Sequence, residues 1–99
     1  MLYMILGRDA ENSLKKRRDA RDGHLARIRS LLDEGRLVLA GPMPAIDAVD
    51  PGPAGHSGSL IVAEFDSLED AQAWANADPY LHCGAWRSVE VQPFVQVLP

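Results

Sequence analysis

Three stretches of this chain are apolar almost without interruption: MLYMIL at residues 1–6, RLVLAGP from Arg36 and SLIVAEF from Ser59. All three read as β-strands, the first closed by Gly7 and the second by Gly41-Pro42. A strand that is apolar on consecutive residues has no face to give to water, so both faces of the sheet must be covered. That requirement limits the fold more than any other feature.

Helical patterns separate the strands. From Leu14, the apolar positions Leu25, Ile28, Leu31 and Leu32 mark a helix ending near Gly35, with Ser13 or Asp9 as its cap. Gly23 weakens its middle by about 1 kcal/mol relative to alanine. Ser67, with Asp70 three residues on, caps a second helix carrying Leu68, Ala71, Trp74 and Ala75 on one face. Asp78-Pro79 ends it and can open another turn through YLHCGAW. SVEVQPFVQVL is a fourth strand, in which Pro93 marks an edge or a bulge. The Pro- and Gly-rich stretch 42–58 reads as a long loop that rims a pocket or an interface.

The order βαββαβ is the ferredoxin-like α+β arrangement. Ninety-nine residues make one domain, 1–99. Two helices cover only one face of its sheet. The simplest cover for the other is a second copy, so a homodimer is expected.

The charge excludes some partners. A net charge of −4 is wrong for a nucleic-acid surface, and the third strand lacks the basic and aromatic pattern that stacks bases. No apolar run approaches membrane-spanning length. MLYMILGRD lacks a basic region before its apolar stretch and reads as the first strand of a cytoplasmic protein. Cys83 is the only cysteine, which suits a reducing compartment. With no Gly-rich phosphate loop and no Cys-X-X-Cys, no cofactor is implied. His56, His82 and Cys83 do not form a zinc-ligand spacing, so no metal site is expected.

The candidate chemistry lies in RRDARDGHLARIRSLL. On a helix this stretch sets Arg17, Arg21, His24, Ile28 and Leu31 in one row. Ile28 and Leu31 suit a core. His24, one turn earlier, is the strongest candidate for general acid or base; its plain alternative is a hydrogen-bonded structural histidine. Arg17 and Arg21 can hold a carboxylate or phenolate, or form a solvated helix face. Asp78 is a carboxylate on a rigid corner, suited to orient an imidazole or simply to cap a turn. Spacing alone does not bring it to His24. Gly41, Pro42, Gly58 and Ser59 end two strands where backbone can approach a ligand closely. Ser59 has no adjacent base and reads as a hydrogen-bond donor. Trp74, Tyr80 and Trp86 suit a core or an interface, with ring stacking in a pocket as the alternative.

KRRDARDGHLARI, the long stretch from LLDEGRLVLAGPMPA to DPY, and the closing VEVQPFVQVL together resemble the YciI-like family over essentially the full length. RLVLAGPMPA and DPY are the most specific parts. The resemblance implies a dimeric α/β-barrel, with two ferredoxin-like sheets packed face to face. It also implies a site pairing His24 with Asp78, supported by Arg17, Arg21 and Gly58-Ser59. Two departures bear on specificity: His56 stands at a usually aromatic position, and LHCGAW after DPY is bulkier and more polar than usual.

Two functions follow. One is a small cofactor-free enzyme of lyase or isomerase type, using His24 and Asp78 on a small anionic ring or keto-acid compound. The other is a non-catalytic module for small-ligand binding or dimerisation.

Overall fold

The computed structural model describes residues 1–99. The strand β1 (Leu2–Asp9) leads to helix α1 (Leu14–Asp33), β2 (Leu37–Pro44), a single 3-10 turn (Gly52–Ala54) and β3 (His56–Glu64). Then come α2 (Leu68–Asn76), α3 (Pro79–His82) and β4 (Trp86–Phe94). The four strands form one antiparallel sheet in the order β2-β3-β1-β4, which is the ferredoxin-like α+β arrangement.

Register fixes what each face carries. Tyr3 pairs with Ala63, Ile5 with Ile61 and Gly7 with Ser59. The first two pairs join Ile28 and Leu31 of α1 and Ala71 and Ala75 of α2 in one core. Side chains alternate along a strand, so Gly7 and Ser59 continue the helix-covered side beyond the core. The site begins there. Leu2, Met4, Leu6, Leu60 and Val62 project from the opposite side. At the rim of that side, Leu39 is 46% exposed and Phe94 40%.

The expected loop at 42–58 is shorter than its composition suggests. Pro42 pairs with Ser59, Met43 with Gly58 and Pro44 with His56, so β2 runs on to Pro44 and β3 starts at His56. On an edge strand, a proline facing away from its neighbour costs no ladder bond. Only 45–55 remain as connection. Its Ile46 and Val49 are exposed, while Gly55 packs on Leu14. β4 is the other edge strand and carries Pro93. It begins at Trp86, which pairs with Asp9 across a register shift, and it ends at Phe94, leaving Val95, Val97 and Leu98 exposed.

Helix ends follow their residues. Ser67 caps α2 by accepting from the Asp70 N–H at 3.0 Å. At Gly23 α1 runs close to α3: a Cβ there would lie 3.4 Å from Pro79 Cγ, at the near edge of ordinary van der Waals contact. No helix is long and apolar enough to cross a membrane.

Candidate active site

The corner before α3 positions the first group. Asp78 has extended backbone, and its carboxylate accepts from the Tyr80 N–H at 2.9 Å, capping the turn that Pro79 starts. That carboxylate is completely buried. Its oxygens lie 2.8 and 2.9 Å from Nδ1 of His24, which donates to them. Arg27 Nη1 adds a longer contact at 3.4 Å, while Nη2 donates to the Trp74 carbonyl at 2.6 Å. The Arg27 guanidinium also lies over the Trp74 ring, 4.2 Å from its centroid.

His24 is held by Asp78 at Nδ1 and by two aromatic rings. Its ring stacks on Tyr80 with centroids 3.9 Å apart and planes 10° from parallel. The Trp86 ring meets it edge-on at 5.5 Å. With Nδ1 engaged by Asp78, Nε2 is the ring nitrogen left for a ligand.

A second ion pair stands at the start of α1. Arg17 donates from Nε and Nη2 to the two oxygens of Asp9, both at 2.7 Å. Nη2 also reaches the Gly58 carbonyl at 3.0 Å and Ser59 Oγ at 2.8 Å. Ser13 occupies the N-cap position of α1 but makes no capping bond; its hydroxyl donates to Asp9. Asp9 thus takes up the charge that Arg17 brings into a buried place.

A cavity of about 630 Å³ opens between α1, α3 and the β2–β3 side of the sheet. Its volume lies within the usual range for small-molecule sites, about 300–1,000 Å³. Arg17, Arg21, His24, Gly41, Pro42 and Ser59 all line it. Asp78 does not; it stands behind His24. Leu25, Ile28, Leu37 and Ile61 make an apolar floor, while Arg17, Arg18, Arg21, His24, His56 and Tyr80 are polar, with no carboxylate in the wall. Arg18 and Arg21 are exposed and have no ion-pair partner. The wall is therefore locally positive in a chain of net charge −4.

Some of this surrounding set carried little sequence signal. Asp9 entered only as a candidate cap. Arg27, a turn beyond His24, looks like any solvated arginine, because its acceptors lie on α2 and at the α3 corner. Tyr80, a core candidate by type, lines the cavity as the stacking partner of His24. His82 hydrogen-bonds the Asn76 carbonyl, Cys83 is exposed and free, and no group of three or more His, Cys, Asp or Glu side chains stands close enough to hold a metal.

His56 also lines the cavity, and its Nδ1 is buried without a partner. Burial, helped by the Arg17 charge, pushes its pKa below the ordinary histidine value, against the pull of Asp9 and Asp50. Below about pH 6.5 the unfolded chain therefore binds the proton before the folded one does, and stability falls as pH drops through the folded value. Above pH 6.5 this penalty is absent. His56→Phe is expected to remove part of the stability loss between about pH 7 and 5, measured as urea midpoints. Superimposable profiles would mean that the ring titrates as it does in solvent.

A family model for the YCII-related domain matches residues 1–95. The chain belongs to the YCII-related family. It is 57% identical over 97 residues to Protein YciI of Escherichia coli and to that of Shigella flexneri, covering 98% of this chain and 99% of theirs. It is 45% identical over 97 residues to an uncharacterized protein of Haemophilus influenzae, with the same coverage. Among solved structures it is similar to TftG, the 5-chloro-2-hydroxyhydroquinone dehydrochlorinase of Burkholderia phenoliruptrix, in complex with 2,5-dihydroxybenzoquinone. The TM-score is 0.82 at 23% identity, over 96% of this chain and 94% of that one. That likeness is one of fold.

Proposed function

We propose that this protein is a small-molecule enzyme in which His24 acts as general acid or base on a small anionic ring or keto-acid compound, in an elimination or isomerisation. One observation carries this reading. Nδ1 of His24 is held by a buried carboxylate, while the ring faces a cavity with three arginines and no acidic residue in its wall. Asp78 fixes the tautomer and the angle of the imidazole, so Nε2 presents a lone pair to the ligand. Arg18 and Arg21 at the mouth attract an anion, and the floor of Leu25, Ile28, Leu37 and Ile61 takes an apolar ring. Gly41 and Pro42 bound the pocket on the β2 side, and Ser59 offers a hydroxyl. The fold neighbour TftG, a dehydrochlorinase of a hydroquinone, supports both the reaction type and a ring-shaped substrate.

The test is a turnover screen of hydroxylated and chlorinated quinols and of keto acids, followed by His24→Ala. The wild type is expected to convert at least one compound, and the variant to bind it without converting it. Tight binding with no conversion of any bound compound would favour the non-catalytic ligand-binding module instead.

The working unit in this reading is a homodimer in the cytoplasm. Leu2, Met4, Leu6, Leu60 and Val62 give the sheet an apolar face that no helix of the same chain covers, and packing two such faces makes the dimeric α/β-barrel. The free, exposed Cys83 fits a reducing compartment. Sedimentation equilibrium is expected to give twice the chain mass at micromolar concentration. A folded monomer there would remove the dimer.

A further inference from the structure

The groups left unspent around His24 narrow the ligand further. Arg17 gives Nε and Nη2 to Asp9, and Nη2 also serves Gly58 and Ser59. Only Nη1 donates to no carboxylate or carbonyl of the chain. A free guanidinium grips a carboxylate through two parallel bonds from its fork. This one has its fork occupied and a single nitrogen to offer.

Tyr80 is the second such group. It is 2% exposed and lines the cavity, yet its hydroxyl donates its proton to no acceptor of the chain. A buried phenol normally finds a partner. The Arg17 guanidinium carbon lies 5.0 Å from the Tyr80 ring centroid, so Nη1 and the phenol proton are neighbouring donors. Burial raises the Tyr80 pKa above the ordinary tyrosine value, with Asp78 adding to the rise, and the charges of Arg17 and Arg21 and a hydrogen bond from Arg17 to the phenol oxygen opposing it. The hydroxyl therefore keeps its proton at neutral pH and is able to donate.

We propose that Tyr80 Oη and Arg17 Nη1 form a site for one anionic oxygen, the oxygen of a phenolate or enolate and not of a carboxylate. This deepens the function proposed above and rests on it. The Tyr80 ring lies 3.9 Å from the His24 ring, so an oxygen seated on Tyr80 holds its parent ring close to the imidazole. When His24 takes a proton from the carbon next to a carbonyl, the C–H electron pair forms the C=C bond and the carbonyl π pair moves onto its oxygen as the enolate charge. Donors already in place stabilise it without reorganising.

Two probes decide the matter: 4-nitrophenolate carries its charge on one oxygen, and 4-nitrobenzoate carries the same charge on two. The wild type is expected to bind the phenolate about tenfold more tightly or better, the effect of one hydrogen bond to a charged group. The absorbance of the bound phenol should show its ionisation moved to lower pH, because the site favours the anion. Tyr80→Phe keeps the ring against His24 and removes only the hydroxyl. It is expected to erase most of the preference and to return the bound probe's titration toward its free value, with benzoate binding unchanged. Equal binding of the two probes by the wild type, or an unaltered preference in Tyr80→Phe, overturns the single-oxygen site but leaves an anionic ligand in place. Binding of neither probe at millimolar concentration removes both. The wild-type comparison holds whether or not the variant folds.

Discussion

Asp78→Asn is expected to leave the protein folded and to lower turnover by about 10²–10⁴-fold, the range lost when a catalytic imidazole is no longer correctly oriented. Asparagine has nearly the shape of aspartate, and its carbonyl still caps α3 through the Tyr80 N–H. What it lacks is a second acceptor. The present carboxylate meets Nδ1 of His24 with both oxygens, at 2.8 and 2.9 Å, while one of them also takes the Tyr80 N–H. An amide NH₂ on that side faces Nδ1–H with a donor. The imidazole then turns away or moves its proton to Nε2, the nitrogen that has to work. Asp78→Ala goes further, leaving Arg27 and His24 without their acceptor at a fully buried position. Its expected cost is about 3–5 kcal/mol of stability, read from urea unfolding. Undiminished turnover in Asp78→Asn would reduce Asp78 to the cap of a short helix.

The row of side chains on α1 shows how far the sequence carries. Spacing alone set Arg17, His24, Ile28 and Leu31 on one face, and all four are buried. Arg21 belongs to the same row but is exposed, because the cavity opens beside it. The strand order was legible because apolar runs alternate with helical patterns and each is punctuated by Gly, Pro or a capping residue. The extent of β2 and β3 was not, since Pro42 and Pro44 look like loop residues until the strand is known to lie at an edge. Contacts between distant residues were the least legible. His24 and Asp78 are 54 residues apart, and helical or strand periodicity says nothing at that range; the resemblance to a family supplied the pair. No family motif named the Asp9–Arg17 or Arg27–Asp78 contacts, and a charged residue's partner is set by tertiary packing.

Gly7→Ala is expected to cost about 3 kcal/mol or more, at the upper end for overpacking a core. Gly7 lies in a central strand, paired with Ser59 on one side and Val89 on the other, so the backbone has little room to shift. A Cβ there would stand 2.2 Å from Trp86 Cε2 and 2.4 Å from Cδ2. Those atoms belong to a rigid ring that is 1% exposed, with no flexible end to swing aside. The ring has to move, and its neighbours are the site: its edge meets His24 at 5.5 Å and Tyr80 at 5.7 Å. A single methyl group on the sheet should therefore lower both stability and turnover, although it touches neither member of the His24–Asp78 pair. A double-mutant cycle separates this cause from a general weakening of the strand. Trp86→Ala alone should cost about 3–5 kcal/mol through the cavity it leaves. In that background the added methyl fills space, so Gly7→Ala should cost much less than in the wild type. Additive losses in urea unfolding would show that the glycine is needed by the strand itself, and that the indole does not depend on it.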